Sequence, residues 1–200
     1  KLENFKKWSK VTFYQNLMFY FYAIDSWYST PQKYTFELSD CNLKTDDDET
    51  VSKLIDLFKK IAFINIKKWD TKDSTSREAT IKQYAAEYKI PLREQIKAID
   101  PDIIFLCGTD KAFRELFEKQ EINLEKDDDQ DFNNLSYLDD KYKWFYFVEL
   151  NNKTRLVINY YHPSFTQRPG WIDVLAVQNI LRNAKTYMSK HNNVMNNLNL

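Results

Sequence analysis

Glycine is nearly absent from this chain of 200 residues: only Gly108 and Gly170 occur. That scarcity excludes the P-loop and the dinucleotide fingerprint, which both need several glycines within a few residues. The two cysteines, Cys41 and Cys107, exclude a disulfide framework. They are also too few to hold a four-thiolate iron–sulfur cluster. Cys107 lies in an apolar run and reads as a buried small hydrophobe. The two histidines, His162 and His191, have no metal-ligand spacing with cysteine or carboxylates, so neither a metal site nor a cofactor is expected. No apolar run approaches the roughly 18 residues that span a bilayer, and no signal peptide is visible. A soluble, cytoplasmic protein, monomeric and without membrane contact, is therefore expected. Net charge is absent too, with 29 basic against 29 acidic residues. There is no global attraction to polyanions, although a local basic patch remains open. The chain begins at Lys1 rather than methionine, and truncation of its N-terminal part is expected.

What is present is apolar and aromatic: 43% of residues are hydrophobic and 16% aromatic, enough for a folded core. Val11, Tyr14, Leu17, Met18, Phe21 and Tyr22 recur at helical spacing and predict a buried helix within residues 4–28. Tyr34, Phe36 and Leu38 alternate as in a short strand. The acids Asp46 to Glu49 suit a helix N-terminus ahead of Val51, Leu54, Ile55 and Phe58. Ile61-Ala62-Phe63-Ile64-Asn65-Ile66 has strand length. Residues 76–99 read as helix, with a break or kink expected at Pro91. Asp102 to Cys107 reads as a second buried strand, and Gly108-Thr109-Asp110 turns into a helix carrying Ala112, Phe113, Leu116 and Phe117. An acidic loop is expected over 125–141. Strands over 143–150 and 154–161 flank a hairpin turn at Asn151-Asn152-Lys153. A last helix covers 171–189, and the Asn-rich tail 191–200 is expected to fray.

Buried strands alternating with helices imply an α/β fold: a three-layer α/β/α sandwich around a short, mainly parallel sheet of about four strands, in one domain over residues 1–190. Ligands of such sheets sit outside the carboxyl ends of the strands. Asn65, Gly108 and His162 occupy those ends. His162 precedes Pro163, which restricts it to extended backbone, so its imidazole is held at a defined place. A neutral imidazole there can donate to a developing anion, or simply bond a backbone carbonyl. The Asn65 amide matches the edge of a pyrimidine, and equally suits a turn residue bonding its own backbone. Gly108 opens a helix after a strand, as a phosphate cradle does and as a plain βα turn does. His162 and Ser164 lack the strand–elbow–helix context of a serine hydrolase.

In order and spacing, three segments resemble the uracil-DNA glycosylase superfamily, mainly its small bacterial single-domain branches. Ile61-Ala62-Phe63-Ile64-Asn65-Ile66-Lys67-Lys68 is similar to the strand ending in the base-recognising asparagine. Pro91 to Ile96, through Pro101-Asp102-Ile103-Ile104-Phe105-Leu106-Cys107-Gly108, is similar to its helix–Pro–strand–Gly element. Val157-Ile158-Asn159-Tyr160-Tyr161-His162-Pro163-Ser164 is similar to its closing strand and His-Pro-Ser motif. The resemblance implies a DNA partner carrying uracil or a related damaged base. Asn65 would bond the flipped base, and His162 would stabilise charge on the uracil carbonyl as the glycosidic bond breaks. Pro163, Ser164 and Gly108 would meet the nucleic-acid backbone. The family's Gly-rich first motif has no counterpart before Asn65; Asp25, the acid after an apolar run there, is expected on a helix. Two further readings follow: an inactive homologue that binds modified nucleic acid or a partner protein, and an unrelated α/β enzyme of small metabolites.

Overall fold

Ile-Ile-Phe-Leu-Cys has the β-branched and aromatic content that suits a buried pleated surface, and in the computed structural model it forms strand β1 (Ile103–Cys107). The structure describes residues 12–29, 52, 55–66, 78–117, 122–123, 144–163 and 170–190. The expectations for Tyr34 to Leu38, Asp46 to Glu49, Cys41, the acidic loop and the tail lie outside these residues.

Beside β1 runs β4 (Lys153–Tyr160), then β3 (Phe145–Leu150) and the two-residue β2 (Ile122–Asn123), in the order β1-β4-β3-β2. Only β1 and β4 pair in parallel, from Ile103 opposite Leu156 to Cys107 opposite Tyr160. The β2–β3 and β3–β4 pairs are antiparallel. The sheet is therefore mixed, not mainly parallel as expected. The cause is the turn at Asn151-Asn152, where both residues adopt positive φ (53° and 59°). A two-residue turn of this hand joins antiparallel strands, whereas parallel neighbours need a long crossover. Asparagine tolerates that conformation better than most side chains.

A second correction concerns Ile61 to Ile66. This run is not a strand, and no ladder joins it to β1. Its side chains are taken up elsewhere. Ile61 packs on one face of the sheet and Ile64 and Ile66 on the other. The half-exposed Phe63 ring lies 5.9 Å from Phe21 and 6.1 Å from Phe58.

Five described helices cover the sheet: α1 (Thr12–Ser29), α2 (Glu78–Glu87), α3 (Lys89–Ile99), α4 (Asp110–Arg114) and α5 (Gly170–Lys190). Residues 55–58 are helical as well. Strand alternation assigns the layers. Phe145, Phe147, Leu156, Ile158 and Tyr160 face α1 and α5, against Leu17, Tyr20, Phe21, Val177, Ile180 and Leu181. Tyr146, Val148, Leu150 and Val157 face Ala85, Leu92, Ile96, Ala112 and Phe113 of α2, α3 and α4. The fold is α/β, with helices on both faces. The break at Pro91 falls earlier than its residue number: the chain turns at Tyr88, and Pro91 lies in the first turn of α3. There its missing N–H has no helical partner to lose.

Candidate functional site at the strand ends

The parallel register carries β1 and β4 to the same edge, so the residues that follow them become neighbours. Gly108 adopts φ +68°, a left-handed conformation that glycine enters without a Cβ penalty. Its N–H donates to the Tyr160 carbonyl at 2.9 Å, one step beyond the strand pairing. A Cβ at Gly108 would lie 3.5 Å from the His162 Cβ. Gly108 and His162, far apart in the sequence, thus stand side by side at the carboxyl ends of the parallel pair.

The His162 side chain is open to solvent. The protein around it still removes enough water to lower the imidazole's pKa below its ordinary value, because desolvation disfavours the charged ring. The shift favours the neutral ring, in which one nitrogen donates and the other accepts. Its backbone is held from both sides. Tyr160 is buried in the core, and its hydroxyl donates to Oδ1 of the buried Asp173 at 2.8 Å. Asp173 sits in the first turn of α5, where a helix favours negative charge. Pro163 is buried, and its carbonyl accepts from the Asn16 side-chain amide of α1 at 2.6 Å. Aromatic rings fill the space beneath. Tyr160 meets Tyr20 edge-on at 5.0 Å, and Tyr161 packs on Trp144 at 5.2 Å.

The Gly108 side is braced by α4. The Arg114 Nε donates to the Asp110 carboxylate at 2.9 Å, and the guanidinium lies 4.4 Å from the centroid of the Tyr146 ring. Burial, then the nearby Asp110 carboxylate, raises the Tyr146 phenol well above its usual range. Burial also pushes the Cys107 thiol up to about 12. A thiol held so high stays protonated and is a poor nucleophile.

Of the residues singled out in the sequence, the structure joins Gly108, His162 and Pro163. Asn65 is exposed, in a stretch outside the sheet rather than at a strand end. Asp25 lies on α1, as expected, and pairs with Lys60 at 3.1 Å. Ser164, Lys67 and Lys68 lie outside the described residues. Asn16 and Asp173 were not singled out. A signal for them exists: each is a polar residue at a helical position otherwise in phase with core side chains. Among the described residues, no group of three or more His, Cys, Asp or Glu is placed to hold a metal ion. No described helix is long and apolar enough to cross a membrane. No protein-family model matches the chain, and neither a curated protein nor a solved structure matches it.

Proposed function

We propose that this chain is a uracil-DNA glycosylase-like protein that hydrolyses the N-glycosidic bond of uracil or a related damaged base in DNA. One observation carries the reading: the Gly108 turn and His162 stand together at the carboxyl ends of the parallel strands, with His162 open and its pKa lowered. A neutral imidazole donates a hydrogen bond without first losing a proton. Charge that develops on a pyrimidine carbonyl as its bond to the sugar breaks is best met by such a fixed donor. Pro163 is buried, so it serves to fix His162 in extended backbone rather than to meet the nucleic-acid backbone as the resemblance implied. The products would be uracil and an abasic site.

The test is incubation with single- and double-stranded oligonucleotides containing one uracil, followed by alkali, using protein expressed from its complete reading frame. Strand cleavage at the uracil is expected. Intact strands on both substrates would overturn the proposal. The exposed position of Asn65, away from any strand end, favours a second reading: an inactive homologue that binds modified nucleic acid or a partner protein. That reading expects retention of the uracil oligonucleotide without base release.

A further inference from the structure

We infer that Asn16 is a positioning residue for His162, acting through the backbone of Pro163; this rests on reading His162 as the residue that stabilises the departing base. Asn16 is 7% exposed and is followed on α1 by the core residues Leu17, Met18, Tyr20 and Phe21. An amide in such surroundings is unfavourable unless hydrogen-bonded, and an aliphatic side chain would suit the site better. The amide is instead spent on a carbonyl 147 residues along the chain, at 2.6 Å.

The carbonyl it holds is the informative one. Pro163 has no N–H, so its carbonyl is the only backbone group by which that residue can be hydrogen-bonded. Two residues upstream of His162, the Tyr160 carbonyl is held by the Gly108 N–H at 2.9 Å. Between these anchors lie only Tyr161 and His162. The proline confines His162 to extended backbone, and Tyr161 is packed on Trp144. With both ends fixed, the origin of the imidazole has little freedom left. Releasing the Pro163 end lets the segment swing while the sheet beneath stays paired. Reacting groups lose rate steeply when displaced by about 1 Å.

The experiment uses the chain with His191→Gln, which leaves His162 as the single histidine, and adds Asn16→Leu, which keeps the bulk and removes the donor. Uracil release should fall roughly 10- to 100-fold in kcat, with KM changing far less. The His162 ring signals in NMR should move, and the titration midpoint should rise toward the ordinary histidine value. Unchanged kcat and unchanged ring signals in a folded Asn16→Leu protein would overturn the inference. If the parent protein releases no uracil, the glycosylase reading fails, and the ring signals alone then decide whether Asn16 positions His162. If Asn16→Leu does not fold, Asn16→Ser is read in the same way. Loss of fold in both would make Asn16 a core residue and overturn the role.

Discussion

The two ends of the parallel strand pair are built from opposite materials. At the amino end, the Arg155 side chain is only 3% exposed and reaches out to two acids. Its Nη1 donates to Asp102 at 2.7 Å and its Nη2 to Asp100 at 2.6 Å. The Asn151 amide also donates to Asp100 at 2.9 Å and to the Lys97 carbonyl at 3.0 Å. The Asn151 hydrogen bond, followed by Arg155, holds the Asp100 carboxyl below its ordinary value. This end ties the β3–β4 turn to the α3–β1 turn, where Asp100 itself adopts φ 47°. At the carboxyl end the contacts beneath the His162 segment are buried and have uncharged donors, Asn16 to Pro163 and Tyr160 to Asp173, while the Arg114–Asp110 pair braces the Gly108 side. Among the described residues at this end, His162 faces solvent. Charge at one end is consumed in joining turns, whereas at the other buried hydrogen bonds lie beneath an exposed imidazole. The amino end is a latch; the carboxyl end is where a ligand can be met.

Substitutions at each end should separate these roles. The largest effect is expected from His162→Gln, which should lower uracil release at least about 100-fold, the scale for losing one anion-stabilising donor, without moving the urea midpoint appreciably. A rate within a few-fold of the parent would remove His162 from the chemistry. Arg155→Ala should do the reverse. It should cost about 2 to 3 kcal/mol, the scale of hydrogen bonds to charged groups with some loss of packing, with base release intact wherever the protein is folded. Urea denaturation measures the first quantity and the oligonucleotide assay the second; a loss of turnover in the folded variant would erase the contrast between the two ends.

The smallest effect concerns pH. Because the folded-state pKa of His162 is depressed, the unfolded chain takes up the proton more readily. The resulting stability is present above the unfolded-state value and is lost as pH falls through the folded-state one. Urea midpoints between neutral and mildly acidic pH should therefore drop slightly more for the parent than for His162→Gln. Equal slopes would show that the ring is no more desolvated than in the unfolded chain.

Much of the frame was legible from residue patterns. The apolar run Ile103 to Cys107, the hairpin centred on Asn151-Asn152 and the helical phase of α1, α3 and α5 follow from local rules, because each depends on side chains within a few positions of one another. Ile61 to Ile66 had the composition of a strand but not the partner. Strand formation is a property of two segments, and Phe63 found Phe21 and Phe58 instead. The two-residue β2 left no periodic trace to read.

The sequence by itself determined which segments could be buried, where the chain had to turn, and that His162 would stand in extended backbone before a proline. These are constraints of covalent geometry and of apolar spacing, present before any fold exists. Only the tertiary structure decided that Gly108 and His162 would meet, that Asn65 would not end a strand beside them, and that the amide of Asn16 and the carboxyl of Asp173 would lie under the motif. Those outcomes depend on strand register and on helix packing between residues far apart in the chain, where no local rule reaches.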